Sequence, residues 1–522
     1  MKALPIGIST FSKVIREDYA YVDKTGYIRT LADKGKYYFL ARPRRFGKSL
    51  FLSTLEEAFS GNRELFHGLS LEASWSWNTP FPVVSLSFGG SVVRSREELA
   101  ANIGEILSEQ AGFHGVALEN ETLNGRFREL LVKLSRRSSR RVVVLIDEYD
   151  KPILDNITNT REARRIRDEL KNLYSVIKDS DAYVEFCFIT GVSKFSKVSL
   201  FSGLNNLMDI SLAPGYGAIC GYTEQELEST FGDLLADTDR DLLRTWYNGY
   251  GFLGERVYNP FDILLFLDSG RYGNYWFETG TPTFLIDLLR KNQFYMPDLE
   301  HFETGEEILN SFEVEDIRPE TLLFQSGYLT IDREFEEIPG FRSYTLRYPN
   351  LEVRTSLNTR LLNALSPEPA KTGGMRRNLT RALLKRDMEK VHHTLHGLFA
   401  SIPHQWYTDN NIERYEGFYA SVVYTCFSSL GFMTRAEESG NVGRADLIVE
   451  THDTVYIIEF KVTEMTGDGM AALAQIEDRG YQARYEASEK NVILLGIDFS
   501  KKERNIVGFA WKQVAGEYVV SR

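Results

Sequence analysis

Tyr37-Tyr38-Phe39-Leu40-Ala41-Arg42-Pro43-Arg44-Arg45-Phe46-Gly47-Lys48-Ser49 decides the fold of the first half of the chain. Four apolar residues, Tyr37 to Leu40, read as a buried strand; a basic loop follows and ends in Gly-Lys-Ser, and a helix begins at about Leu50. Gly47 lets the backbone approach a phosphate, Lys48 can reach terminal phosphates, and Ser49 can hold Mg²⁺. The free amides and dipole of the helix N-terminus add to such an anion site. Arg42 stands where the general Gly-x-x-x-x-Gly-Lys-Ser/Thr pattern has its first glycine.

Outward from this loop, short apolar strands alternate with helices. Pro82-Val83-Val84-Ser85-Leu86 is a second strand. Arg141 to Ile146 is a third and ends in Asp147-Glu148; Tyr183 to Ile189 is a fourth and ends in Thr190-Gly191. Between the last two, Arg161 to Lys178 spaces Ile166, Leu170, Leu173, Tyr174 and Ile177 as a helix does. Aliphatic strands separated by helices predict an α/β fold, a parallel sheet covered on both faces. Asp147 then fits a metal ligand and Glu148 a base for an attacking water, the pair a phosphoryl-transfer site needs beside its phosphate loop.

The 522 residues allow two to four domains at about 150 residues each. A composition of 43% hydrophobic and 26% charged residues is that of a water-soluble globular protein. The longest aliphatic run, Val142 to Ile146, is far shorter than the roughly 20 apolar residues that span a bilayer. Met1-Lys2-Ala3-Leu4-Pro5 has one charge and no sustained apolar stretch after it, so no secretory signal is expected. Cys187, Cys220 and Cys426 are odd in number and far apart, which suits buried thiols in a reducing, cytoplasmic compartment. A net charge of -12 argues against adhesion to nucleic acid through bulk charge, so any DNA contact needs a local basic patch.

From about Glu224 to Asn358 the texture changes. Helical segments at Glu224 to Phe231, Phe261 to Leu267 and Phe284 to Asn292 alternate with aromatic, glycine-containing turns such as Tyr247 to Phe252, as in a helical lid with a small strand-containing module. Ser366 to Gly374, rich in Pro and Gly, reads as a linker, with a helix from Asn378 to Phe399 beyond it. The expected divisions are 1–223, a P-loop domain; 224–370, lid and connecting module; 371–410, a linker helix; and 411–522, a last α/β domain.

In that last domain, Asp446 opens the strand Ala445-Asp446-Leu447-Ile448-Val449. Glu459 and Lys461 end the next, Val455 to Val462. Period-two geometry puts Glu459 and Lys461 on one face and Phe460 on the other. Two charges at the end of a buried strand are costly without partners. A divalent ion held by Asp446 and Glu459 would supply one, and Lys461 could orient the attacking water and stabilise developing negative charge. Glu-x-Lys alone also occurs as a solvated strand face.

Asp, a hairpin and Glu-x-Lys resemble the PD-(D/E)XK nuclease superfamily, over about Asn411 to Ile497. Glu416 in Tyr415-Glu416-Gly417-Phe418-Tyr419 fits a supporting acid of that superfamily, and Gln475 in Ala472-Leu473-Ala474-Gln475-Ile476 a supporting amide; Ala445 replaces the Pro of the name. At the other end, Tyr21-Val22-Asp23-Lys24-Thr25, the Arg42-to-Ser49 loop, Ile146-Asp147-Glu148-Tyr149-Asp150, Ile189-Thr190-Gly191-Val192-Ser193-Lys194-Phe195-Ser196 and Phe201-Ser202-Gly203-Leu204-Asn205-Asn206-Leu207 recur in one order. Together they resemble the bacterial AAA-ATPase-like proteins with a C-terminal PD-(D/E)XK domain, in which Arg at the first loop position is usual.

The resemblance implies a P-loop NTPase parallel sheet with a helical lid, linked to an α/β nuclease-like domain. It implies ATP held by Arg42, Pro43, Arg44, Arg45, Phe46, Gly47, Lys48, Ser49, Asp147 and Thr190, the last at a γ-phosphate-sensing place. It implies Mg²⁺ or Mn²⁺ on Ser49 and Asp147 and again on Asp446 and Glu459, with Glu148, Asp446, Glu459, Lys461, Glu416 and Gln475 as the catalytic set. DNA is the partner it suggests, no membrane is expected, and homo-oligomerisation stays open. Phage defence or mobile-element biology fits the pairing by analogy alone. The alternatives are a nucleotide-switched sensor whose nuclease-like domain binds nucleic acid without cutting, and an ATP-dependent regulator with a protein partner. His392, His393 and His396 have helical spacing but no HExxH, so zinc is set aside. The basic run Arg376-Arg377, Arg381, Lys385-Arg386 reads as a solvated helix face or a phosphate track, and the Tyr247-to-Phe252 turn as packing.

Overall fold

A computed structural model describes residues 2–194, 200–201, 204, 206–276, 285–286, 288–289, 294–309, 317–366, 368–402, 415–439, 444–464, 466–485, 489–514 and 518–521. The helix expected over Phe284 to Asn292 falls largely outside this set, as do Phe195, Ser196, Ser202, Gly203 and Asn205 of the recurring motifs. Two compact units emerge: Met1–Thr279 with Glu303–Thr345, and Gly280–Phe302 with Leu346–Arg522.

The first unit is built on a five-stranded sheet of β1 (Tyr37–Ala41), β2 (Val83–Ser87), β3 (Val142–Asp147), β4 (Val184–Gly191) and β5 (Met208–Asp209), in the order β2-β3-β4-β1-β5. Every pairing is parallel. β3 is buried along its whole length, as its unbroken aliphatic run requires in a sheet covered on both faces. Helices α1 (Lys48–Phe59), α2 (Arg96–Phe113), α3 (Leu123–Ser138) and α4 (Thr160–Asp179) fill the connections. In α4, Ile166, Leu170, Leu173, Tyr174 and Ile177 are the buried stripe that their spacing predicts.

α5 (Glu224–Phe231), α6 (Arg240–Tyr247) and α7 (Pro260–Ser269) form a second core with Ala20 and Val22. Thr223 and Glu226 close a capping box on α5, and Lys24 ties the N-terminal segment to the same place, its Nζ 2.6 Å from Glu226 and 2.7 Å from the Ala218 carbonyl. α8 (Pro319–Ser326) follows. β6 (Phe302–Gly305), β7 (Thr330–Ile338) and β8 (Phe341–Arg347) pair in the order β6-β8-β7.

The second unit, besides Gly280–Phe302, contains α9 (Leu351–Leu365), α10 (Pro369–Lys385), α11 (Met388–Ser401) and α12 (Tyr415–Ser428). The sheet β9 (Met433–Ser439), β10 (Arg444–Glu450), β11 (Thr454–Thr463), β12 (Asn491–Ser500), β13 (Asn505–Gln513) and β14 (Tyr518–Ser521) keeps sequence order, with α13 (Met470–Arg479) between β11 and β12. β11 and β12 are parallel, and the other pairings are antiparallel. On one face Val455 and Ile457 meet Leu473 and Ile476 of α13. On the other, Phe460, Phe499, Phe399 and Tyr419 form an aromatic cluster, with Tyr419 and Phe499 stacked at 4.5 Å.

Two segments depart from the sequence reading. Ser366 to Gly374 is not an extended linker: α10 starts at Pro369, a first-turn position where proline lacks no needed N–H, and Gly373 and Gly374 ride inside the helix. The single helix expected over Asn378 to Phe399 is two, broken where Arg386 takes φ 57° and Asp387 caps α11. At the break, Arg386 is held by Asp453 and the Thr454 hydroxyl.

Candidate functional site

In the first unit the phosphate loop leaves the carboxyl end of β1 beside the ends of β3 and β4, the place where open α/β sheets bind ligands. Gly47 has φ 90°, which a side chain would strain, and the helix starts at the next residue. The Ser49 hydroxyl lies 2.5 Å from Asp147 Oδ2, so the two groups proposed for one cation already meet. Lys48 is buried and donates to the carbonyls of Arg42 at 3.0 Å and Pro43 at 2.9 Å, so its ammonium spans its own loop; burial holds its pKa below the usual lysine range. Glu148 adopts φ 52°, rare for a residue with a side chain, and its carboxylate abuts Gly89, where an added Cβ would come within 3.0 Å. Burial first, and then Asp147, raise the Glu148 pKa.

Not every loop residue points at this site. Arg42 is 1% exposed, and its guanidinium donates to the carbonyls of Ser211 at 2.6 Å and Tyr216 at 2.9 Å while lying 3.9 Å from the Phe252 ring centroid. It braces the loop from behind. Phe46 is buried edge-on to Tyr250 at 4.8 Å, Pro43 fills the space that a Cβ on Gly327 would need, and the Arg44 carbonyl accepts from the Trp276 indole at 3.1 Å. Arg45, at φ 64°, stacks over Phe261 at 3.8 Å. The Tyr247-to-Phe252 turn therefore packs on the phosphate loop itself. Thr190, buried, gives its hydroxyl to the Leu40 carbonyl at 2.8 Å.

Asp150 has a place here that its local sequence does not show. Buried in the turn that follows β3, it accepts from the Val192 and Ser193 amides and the Ser193 hydroxyl, so it ties the loop after β4 to the turn bearing Glu148. An acid two residues beyond Glu148 in a buried turn was the available signal.

In the second unit, Leu447 pairs with Ile458, which brings Asp446 beside Glu459. Asp446 Oδ2 accepts from the Phe460 amide at 2.8 Å. Glu459 is 2% exposed. Gln475 of α13 lies between the charges: its amide nitrogen donates to Glu459 Oε1 and its carbonyl accepts from Lys461 Nζ. Asp446, Glu459, Lys461 and Gln475 are thus brought together on the α13 face. Glu416 is in the first turn of α12, but its side chain is outside the described residues. Also on this face is Asp498, the register partner of Lys461 on β12, which the sequence reading passed over. Its signal was a lone acid inside the apolar run Val492 to Phe499.

No group of three or more His, Cys, Asp or Glu is poised to hold a metal among the described residues. Two carboxylates suit Mg²⁺, which binds one or two protein acids, keeps several waters and takes phosphate oxygens from its substrate. His392 stacks on Phe509 at 4.8 Å. Of the basic run, Arg376 donates to the Ser429 carbonyl and Arg386 pairs with Asp453, while Arg377, Arg381 and Lys385 form an exposed stripe at four-residue spacing. No helix among the described residues is long and apolar enough to cross a membrane.

Comparison with known proteins bears on both units. A family model described as "Predicted AAA-ATPase" matches residues 5–201, and one for the PD-(D/E)XK nuclease superfamily matches residues 414–509. A protein of Azotobacter chroococcum mcd 1, described as an uncharacterized protein in the vnfD 5' region, is 50% identical over 509 residues, covering 97% of this chain and 98% of the relative. The chain belongs to that relative's family, AAA-ATPase-like proteins that end in a PD-(D/E)XK nuclease-superfamily domain.

Proposed function

We propose that the protein binds and hydrolyses ATP in its first unit and uses the nucleotide to control a Mg²⁺-dependent nuclease, acting on DNA, in its second. The bridge Lys461–Gln475–Glu459 beside Asp446 carries this reading: two acids from the paired strands β10 and β11 and a cation are held together on one face, an arrangement that suits a divalent ion and a phosphate. Asp446 and Glu459 would hold the ion, which when bound polarises the scissile phosphate and lowers the pKa of a water. Lys461 stabilises the charge that grows on the phosphate oxygens, and Gln475 keeps Lys461 and Glu459 in register.

In the first unit, Lys48 exchanges its loop carbonyls for nucleotide phosphates. Ser49 and Asp147 take the accompanying cation, and Glu148 accepts a proton from the attacking water. The stripe Arg377, Arg381 and Lys385 supports a polyanionic partner despite the net charge of -12. Phage defence or mobile-element biology is the setting we favour, by analogy. The test is a panel of single-stranded, duplex and branched DNAs incubated with Mg²⁺ or Mn²⁺, with and without ATP. New ends that depend on metal and respond to ATP are expected; a shifted but uncut panel would make the second unit a binding module.

A further inference from the structure

We propose that Asp498 is a positioning residue of the nuclease site, fixing the start of α13 so that Gln475 can hold Glu459 and Lys461. This rests on the nuclease reading above. β11 and β12 are parallel, with Glu459 opposite Gly496 and Lys461 opposite Asp498, so Glu459, Lys461 and Asp498 project toward the α13 face. Asp498 is 3% exposed, and its Oδ2 accepts from the Gly469 amide at 2.8 Å, the residue from which α13 begins.

The surroundings are cut to let that loop reach the carboxylate. A Cβ on Gly467 would collide with Asp498 Oδ2, and one on Gly496 with the Gly469 carbonyl. A Cβ on Gly508 would come within 2.5 Å of the Asp468 and Gly469 amides. Gly469 itself takes φ 78°. Four glycines thus press one loop against one acid. Burial raises the Asp498 pKa, and the Gly469 and Asp468 amides and Lys461 oppose that rise, so the carboxylate is held at some cost by N–H groups at the mouth of a helix. From that anchor, α13 runs through Leu473 and Ile476, packed on the sheet, and delivers Gln475 between the charges.

The test is a double-mutant cycle in the full chain, using Asp498→Asn, Gln475→Ala and both together. Metal-dependent cleavage of duplex DNA and amide exchange in α13 are read in each. Asp498→Asn is expected to lower kcat about tenfold, the scale of outer-shell losses at metal sites, with KM for DNA unchanged. In the Gln475→Ala background the same change should cost less than about twofold, because the group it acts through is gone. Exchange in Met470–Arg479 should speed about tenfold in Asp498→Asn while that of β10 and β11 stays as in the parent. Gly467→Ala, which crowds the loop against the acid without removing it, should reproduce both effects.

Equal losses in the two backgrounds, or unaltered α13 exchange, would overturn the assignment. A parent protein that cuts nothing would sink the nuclease reading instead, and the exchange result would still decide whether Asp498 anchors the helix.

Discussion

Gln475 is a neutral spacer between an acid and a base, and each end of its amide has the polarity its neighbour wants. Asp446→Ala and Glu459→Ala should each abolish cleavage, since either removes an anionic oxygen from a two-acid site. Lys461→Ala should abolish or nearly abolish it with Mg²⁺ binding retained, because a cation does not ligate a cation; calorimetry with Mg²⁺ alone separates the cases. Gln475→Ala should cost about 10- to 100-fold.

At the proposed nucleotide site, Lys48→Ala should weaken ATP binding strongly, whereas Glu148→Gln should bind ATP and slow its turnover. Burial raises the Glu148 pKa, and the base works only as the carboxylate. Turnover should therefore rise with pH along an acid limb above the ordinary glutamate range, and Glu148→Gln should lose that limb. A limb unchanged in the variant would remove Glu148 from the role. The residues legible in sequence were those whose chemistry is local: Gly-Lys-Ser after a strand, and two charges two apart at the end of an apolar run. Arg42 was not legible in this way. Its place in the loop suggested phosphate, but side-chain direction is set by carbonyls at Ser211 and Tyr216, some 170 residues on, and by Phe252. Asp498 needed a β11–β12 register that no local pattern gives.

Elements were legible where periodicity is strong, as in α4 and β3, and illegible where composition stood in for it. Ser366 to Gly374 has the residues of a linker and the structure of a helix start, because a proline in a first turn and glycines packed beside Arg377 are tolerated once neighbours supply the stability. α10 carries the clearest surface prediction. Changing Arg377, Arg381 and Lys385 together to Gln should weaken DNA binding without altering cleavage chemistry, and reduce the salt dependence of binding by about one power for each phosphate no longer neutralised. Binding isotherms at several salt concentrations check this, and an unchanged slope would return the stripe to a solvated face. The Arg42 brace behind the phosphate loop predicts a stability effect: Arg42→Ala leaves two buried carbonyls without their charged donor and should cost about 3 kcal/mol. A denaturant titration reads that loss.

At the scale of the whole molecule, the second unit is larger than the region its motifs mark. α9 is buried on nearly all sides although it carries Glu352, Arg354, Thr355, Ser356 and Asn358. Arg354 donates to the carbonyls of Thr434 at 2.8 Å and Phe432 at 3.0 Å, at the start of β9. A fragment beginning at 411 lacks these donors and should show no cooperative thermal transition, whereas the full chain should. Sequence periodicity could not reveal this, since polar residues turned inward blur the apolar stripe that would mark a buried face.

The covalent path adds one more consequence. The chain passes between the units three times, after Thr279, after Phe302 and after Thr345. A single protease nick at the last junction would leave Gly280–Phe302 joined to the first fragment while still folded into the second. The two pieces should co-purify until denatured. By the same topology, one recombination breakpoint cannot exchange the second unit cleanly: a break before Gly280 carries Glu303–Thr345 of the first unit along with it, and a break before Leu346 leaves Gly280–Phe302 behind.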